Sequence, residues 1–131
     1  MISKSIDTGT DDLLAEVIDG VALITLNRPE ARNAMSGPMN QALQKTLADA
    51  EVDPDIKCIV LTGAGKGFCA GGDVKGMAAS GDGTVGANTI DGAIHEQRIH
   101  QRGTAGKLFK MPKPTIAALP GAAAGAGLSL A

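Results

Sequence analysis

The sequence predicts an α/β fold, because strand patterns flank a helical pattern within one chain of 131 residues. Two strand-forming runs, LLAEVI and VALITL, are separated by Asp19-Gly20, a pair that accepts the positive φ angles of a tight hairpin turn. Two further runs, IKCIVLTG and TIAAL, are short and continuously apolar, which is typical of strands covered on both faces. We therefore expect four strands, beginning near Leu13, Val21, Ile56 and Thr115.

The first helix is predicted over about residues 38–50. Ser36 is a suitable N-cap residue, and Pro38 suits the first helical turn. Asp53-Pro54 ends the pattern, because the residue before a proline avoids helical angles. The apolar residues of the segment recur at helical spacing and fall on one face: Met39, Leu43, Leu47 and Ala50.

Both ends of the chain and its centre give weaker patterns. Residues 1–12 are polar and acidic, so we expect a flexible tail there and a single domain over residues 13–131. Residues 79–92 carry turn formers without periodicity and predict a mobile loop. A helix is expected from Ile94 to Lys110, interrupted near Gly103 and Gly106. The final LSLA reads as an apolar helix without a cap, so we expect a longer chain, of which this part alone is not a stable monomer.

Composition excludes several classes of function. The chain is 44% hydrophobic and 20% charged with a net charge of −2, which argues against a nucleic acid or a membrane surface as the main partner. The polar start of the sequence does not read as a leader segment, and no run approaches about 18 apolar residues, so neither a leader nor a membrane span is expected. The two cysteines, Cys58 and Cys69, fit a reducing compartment, so a cytoplasmic location is expected.

Eight of the 18 glycines lie in two segments of the same design. In IVLTGAGKGFCAGGDV and TIAALPGAAAGAGLSLA, an apolar strand leads into a Gly/Ala-rich turn and then into a helix. Turns without bulky side chains expose backbone N–H groups, and two such turns side by side could form an oxyanion hole. The residues alone leave a second interpretation open, in which these glycines only permit tight strand–helix packing.

Two nucleotide-binding motifs are the rival interpretations of the first segment. Gly65, Gly67 and Ala70 match the spacing G-x-G-x-x-A after a strand. A dinucleotide-binding unit would need a helix and a second strand next, and MAASGDGTVGAN predicts no strand. A phosphate-binding P-loop also fails, because Lys66 is followed by Gly67 instead of Ser or Thr.

From about Leu13 to its end, the chain resembles the N-terminal half of the enoyl-CoA hydratase/isomerase (crotonase) superfamily. NRPEARNAM resembles the first CoA-contacting segment of that family, and the two glycine-rich segments resemble its two oxyanion segments. The resemblance implies a crotonase-like spiral of ββα units, assembled as a homotrimer or hexamer. It also implies an acyl-CoA substrate in fatty acid metabolism, with coenzyme A as part of the substrate and no other cofactor.

The resemblance also assigns site residues. It places the oxyanion donors at the backbone N–H groups of Gly72 and Ala126. It assigns acyl-CoA contacts to these two residues and to Arg32, Ala34, Ala70, Gly71, Asp73, Val74, Ala122 and Gly125. It implies isomerisation or hydration of an enoyl-CoA. The alternatives are a catalytically silent acyl-CoA-binding or subunit protein and, further away, a nucleotide-cofactor oxidoreductase.

Individual side chains qualify this assignment. Ser129 stands where hydratases of the family commonly carry a glutamate, and a serine cannot act as a carboxylate base. Asp73 is interpreted as a helix cap instead of a general base. His95 and His100 are five residues apart, so a helix would place them on different faces and a shared metal site is not expected. Cys69 has no histidine partner that the sequence can identify, which argues against a nucleophile.

Overall fold

The computed structural model describes residues 3–79 and 89–131, without the side chains of residues 77–79. Five strands form one sheet in the order β1-β2-β3-β4-β5. The strands are β1 (Ser3–Ile6), β2 (Leu13–Ile18), β3 (Val21–Leu26), β4 (Cys58–Gly63) and β5 (Thr115–Ala118). The helices are α1 (Gly37–Val52), α2 (Val74–Ala79), α3 (Ile90–Gly103), α4 (Ala105–Phe109) and α5 (Ala126–Leu130), with a 3-10 turn at Pro29–Ala31.

The predicted hairpin is confirmed. β2 and β3 pair antiparallel with Leu13 opposite Leu26 and Ile18 opposite Val21. The turn is Asp19-Gly20, with φ angles of 49° and 81°, so both turn residues have the left-handed backbone that a two-residue hairpin requires. β3, β4 and β5 then pair in parallel, which needs the crossover connections that contain the helices.

The prediction of a flexible tail over residues 1–12 is wrong for Ser3–Ile6. These residues form β1 and pair antiparallel with β2, from Ser3 opposite Ile18 to Ile6 opposite Ala15. The sequence pattern misses this strand because its side chains are mostly exposed and polar. A strand at the edge of a sheet is held by backbone hydrogen bonds to its neighbour and needs no apolar face of its own.

Helix α1 forms as predicted and covers one face of the sheet. The Ser36 hydroxyl accepts a hydrogen bond from Met39 N at 3.1 Å, which confirms the N-cap. The apolar stripe of the helix is buried against the inward residues of the strands: Met39, Leu43, Leu47 and Ala50 face Leu13, Ile24, Leu26, Ile59 and Leu61. Burial alternates along β3 and β4, because α1 packs on one face of the sheet only.

The expectation that the two apolar runs are covered on both faces is therefore wrong. β4 alternates between buried and half-buried residues. β5 is largely exposed, with Ile116 54% exposed, because it is the last strand of the sheet and pairs only with β4. A strand at an edge has one neighbouring strand. The apolar sequence of β5 therefore predicts more burial than its side chains have in the structure.

The single helix predicted from Ile94 to Lys110 is divided into two helices, α3 and α4. The predicted helix from Ile94 to Lys110 begins earlier, at Ile90, where the Thr89 hydroxyl accepts from Gly92 N at 3.0 Å. It breaks at Thr104, next to the predicted interruption. On α4, Lys107 pairs with Glu51 of α1 at 2.7 Å. Within the predicted loop over residues 79–92, positions 80–88 lie outside the described residues. None of the described helices has the length and apolar character needed to cross a membrane.

Candidate active site

The two glycine-rich turns lie side by side at the carboxyl ends of β4 and β5. Phe68 N donates to Ala122 O at 3.0 Å, and Ala124 N donates to Cys69 O at 3.0 Å. Cys69 and Ala123 form an isolated parallel bridge between the two segments. The turns therefore continue the pairing of their parent strands beyond the sheet.

The segment NRPEARNAM joins the same ladder from the other side. Ala70 N donates to Arg32 O at 3.0 Å, and Met35 N donates to Gly71 O at 2.8 Å. Met35 and Gly72 form a second isolated parallel bridge. The structure thus brings together all three segments to which the sequence assigns acyl-CoA contacts.

Close backbone packing requires glycine at several points of this ladder. Gly71 has a φ of 106°, and a Cβ there would lie 3.1 Å from Ala124 O and 3.5 Å from Ala126 N. A Cβ on Gly121 would overlap Lys66 O, and one on Gly127 would overlap Cys69 O. The packing interpretation of the glycines is therefore correct at these positions. The absence of a side chain on Gly71 also allows its backbone to pack directly against that of Ala126.

A cavity of about 850 Å³ opens between these turns and α3. Gly72 and Asp73 line it from the first turn, and Ala126 and Ser129 line it from α5. Helix α3 supplies most of the other wall, including Glu96 and His100. The remaining predicted contacts lie in the three segments but do not line this cavity: Arg32, Ala34, Ala70, Gly71, Val74, Ala122 and Gly125.

Two backbone donors at the cavity have no acceptor among the residues that the structure describes. Within residues 3–79 and 89–131, no acceptor receives a hydrogen bond from the N–H of Gly72 or of Ala126. Ala126 is the first residue of α5, and the N–H groups of a first helical turn have no intrahelical partner. Neither N–H is therefore engaged within residues 3–79 and 89–131.

The thiol of Cys69, in the first glycine-rich turn, does not have the lowered pKa of an activated nucleophile. Burial raises the pKa of the Cys69 thiol, and a hydrogen bond with the backbone of Gly71 opposes this only in part. His95 and His100 are both exposed on α3. Over the part of the chain that the structure describes, no three His, Cys, Asp or Glu side chains are placed to share a metal ion.

The dinucleotide motif does not have the geometry its chemistry requires. The chain from Gly65 to Ala70 enters the ladder with residues 122–124 instead of opening a helix. The next helix, α2, begins only at Val74. A pyrophosphate would therefore find no helix N-terminus at these glycines.

The sequence profile of the enoyl-CoA hydratase/isomerase family matches residues 16–131. The chain belongs to this family. It is 40% identical to a 1,2-epoxyphenylacetyl-CoA isomerase of Escherichia coli over 91% of this chain and 44% of the relative, and 34% identical to the enoyl-CoA hydratase EchA19 of Mycobacterium tuberculosis over 91% and 42%. A crystal structure of an enoyl-CoA hydratase from Bacillus anthracis superposes with a TM-score of 0.75 at 30% identity, covering 91% of this chain and 43% of that one.

The fold of this family member is therefore the crotonase fold expected from the sequence. The chain spans less than half the length of the curated relatives it matches. Its two glycine-rich segments and NRPEARNAM all lie within the matched range.

Sequence reasoning missed two residues that organise the site. Asn33 is fully buried with a φ of 56°; its Oδ1 accepts from Arg28 N at 2.8 Å, and its Nδ2 donates to Ala64 O and Gly67 O. Arg28 donates from Nη1 to Ala34 O at 2.7 Å and to Asp73 Oδ2 at 3.2 Å. An asparagine in a turn tolerates left-handed backbone, which is the signal that could have identified Asn33.

Asp73 acts as the predicted cap. Its Oδ1 accepts a hydrogen bond from Gly76 N at 3.1 Å, in the first turn of α2. Its Oδ2 pairs with Arg28. Both carboxylate oxygens are thus engaged by the protein, which leaves this residue poorly placed to act as a general base.

Proposed function

We propose that this site binds an acyl-CoA thioester and polarises its carbonyl through the N–H groups of Gly72 and Ala126. The observation that carries the proposal is a pair of backbone donors that line one cavity and have no acceptor among the described residues. When an enolate or oxyanion forms, negative charge develops on the thioester oxygen. Donors that are fixed before reaction stabilise this charge without reorganising, and such a donor typically contributes about 10²–10³ in rate.

The three paired segments are proposed to hold the rest of the substrate. Arg32 and Ala34 would contact the CoA moiety, the run from Ala70 to Val74 would follow the adenine and pantetheine, and Ala122 and Gly125 would flank the acyl group. Backbone pairing between the segments supports this arrangement, since it fixes their relative positions. The cavity volume is within the roughly 300–1,000 Å³ usual for small-molecule sites.

We propose isomerisation or hydration of an enoyl-CoA as the reaction. Ser129 lies on α5 one turn beyond Ala126, and its N–H donates to Gly125 O at 3.3 Å. A serine at this point supplies no carboxylate base, which disfavours a two-glutamate hydration and favours isomerisation with a single acid/base residue. A homotrimer or hexamer in the cytoplasm, acting in fatty acid metabolism with no further cofactor, completes the proposal.

The same serine favours one alternative, an acyl-CoA-binding or subunit protein without turnover. The two can be separated by incubating the full protein with a 2-enoyl-CoA and with a 3-enoyl-CoA. Hydration adds the mass of one water to the product, and isomerisation moves the double bond at constant mass. Binding of the thioester in a calorimeter without either product would identify the silent alternative, and absence of binding would refute both.

A matched pair of variants tests the donor at Gly72. Gly72→Pro deletes the N–H, whereas Gly72→Ala keeps it, and Gly72 is not among the residues with positive φ. We expect Gly72→Pro to lose about 10²–10³ in kcat and Gly72→Ala to retain much more activity. Equal losses in the two variants would mean that the N–H of Gly72 is not the group that acts.

A further inference from the structure

Arg28 contacts the residue that follows Gly72, although its side chain lies outside the cavity lining. It lies two residues beyond the end of β3, and its side chain is only 19% exposed. Its backbone is fixed from two sides, because its N–H donates to Asn33 Oδ1 and its carbonyl accepts from Asn33 N, both at 2.8 Å. The backbone from which the guanidinium side chain extends is therefore held in place.

The guanidinium donates hydrogen bonds to two different segments of the site. Nη1 donates to Ala34 O at 2.7 Å, which belongs to the CoA-contacting segment, and to Asp73 Oδ2 at 3.2 Å, which belongs to the first oxyanion segment. Ala34 immediately precedes Met35, and Asp73 immediately follows Gly72. Arg28 thus contacts one neighbour of each residue in the Met35–Gly72 pair.

The pairing with Met35 sets the direction of the Gly72 N–H. The peptide group between Gly71 and Gly72 has its carbonyl on Met35 N, at 2.8 Å. In a trans peptide the C=O and N–H point in opposite directions, so the Gly72 N–H points away from the Met35 segment. Any shift of residue 73 against residue 34 would rotate that N–H.

We propose that Arg28 is a positioning residue for the oxyanion donor Gly72, acting through the carboxylate of Asp73. The inference rests on the proposed function. Lysine is a poor replacement, because a single ammonium lacks the planar, rigid donor geometry with which arginine bridges two acceptors. The Asp12 carboxylate, 3.9 Å from Arg28 Nε and 2.5 Å from the Ser36 hydroxyl, orients the guanidinium further.

The test compares Arg28→Met with Glu51→Gln in the full protein. Glu51→Gln breaks the Lys107–Glu51 pair, which is similarly half-buried but lies between α1 and α4. We expect Arg28→Met to lower kcat by about 10- to 100-fold with KM within about twofold, because donor misplacement affects the transition state more than ground-state binding. Glu51→Gln is expected to lower the melting temperature about as much as Arg28→Met does, and to leave kcat unchanged.

A double-mutant cycle gives the second readout. Asp73→Asn removes the ion pair while its amide oxygen can still accept from Gly76 N. If Arg28 acts through Asp73, the losses in kcat of Arg28→Met and Asp73→Asn are not additive, and the double variant is close to the worse single one. Should Arg28→Met fail to fold, Asp73→Asn alone must show the same fall in kcat.

Three results overturn the inference: unchanged kcat in Arg28→Met, a change in KM alone, or additive losses in the cycle. Failure of the wild-type protein to turn over any enoyl-CoA would instead refute the proposed function. The two failures are therefore distinguishable.

Discussion

The side-chain amide of Asn33 donates to the carbonyl oxygen of Ala64 at 2.9 Å, and to that of Gly67 at 3.0 Å. One buried side chain thereby fixes the turn after β4 against the loop after β3. The same turn leads into Gly72. The geometry of the candidate oxyanion donor therefore depends on an asparagine that does not line the cavity.

Replacing Asn33 should destabilise the protein strongly. Asn33→Gly retains the left-handed backbone but leaves Arg28 N, Ala64 O and Gly67 O without their partner. Each unsatisfied buried group costs about 1–3 kcal/mol, so with relaxation we expect a loss of about 2–4 kcal/mol in the free energy of unfolding. Urea denaturation measures it. Asn27→Ala, which removes one exposed hydrogen bond to Asp11 O, is the control, and an equal loss in both variants would contradict this role.

Gly71 should not tolerate a side chain, whereas Gly67 should. Gly71→Ala would force alanine into a φ of 106° and place its Cβ 3.1 Å from Ala124 O. We expect a cost of about 1–3 kcal/mol together with loss of activity. At Gly67 the nearest atom to a Cβ is 4.0 Å away and φ is not in the left-handed range, so Gly67→Ala should stay within about 0.5 kcal/mol. Melting temperatures of the two variants decide this, and similar values would contradict the packing described for Gly71.

The elements with strong local patterns could be predicted from the sequence. Asp19-Gly20 specifies its hairpin through backbone angles, and Ser36 with Pro38 specifies the start of α1. These signals act between residues that are close in the chain. They need no knowledge of what packs against them.

The remaining features depend on partners far along the chain. β1 is held by the backbone of β2, so its own side chains carry little information. The role of Arg28 depends on Asp73, which is 45 residues away. The arrangement of Gly72 and Ala126 was assigned by family resemblance, because the residues alone fit tight packing equally well. Close packing at Gly71 brings the backbone of the first turn next to Ala126, so tight packing and the proposed donor role are compatible.

Cys69 should resist alkylation in the folded protein. Burial raises the pKa of its thiol, so less of the reactive thiolate is present at neutral pH than for an ordinary cysteine. The folded-state pKa is the higher one, so the unfolded chain loses this proton first as pH rises. The stability contributed by the neutral thiol is therefore lost in alkaline solution, above the ordinary thiol range. Mass spectrometry after iodoacetamide treatment should find Cys69 modified in urea but not in buffer. Equal modification in both would contradict its burial.

The most direct test of the central claim is the carbonyl stretching frequency of a bound thioester. An acyl-CoA labelled with ¹³C at the thioester carbon gives an isotope-edited infrared band for this one carbonyl. If the N–H groups of Gly72 and Ala126 both donate to its oxygen, the band of the bound ligand lies at lower frequency than in water. In Gly72→Pro it should return part of the way, because one donor is deleted. A bound thioester whose carbonyl absorbs at the same frequency as in water would contradict the oxyanion hole.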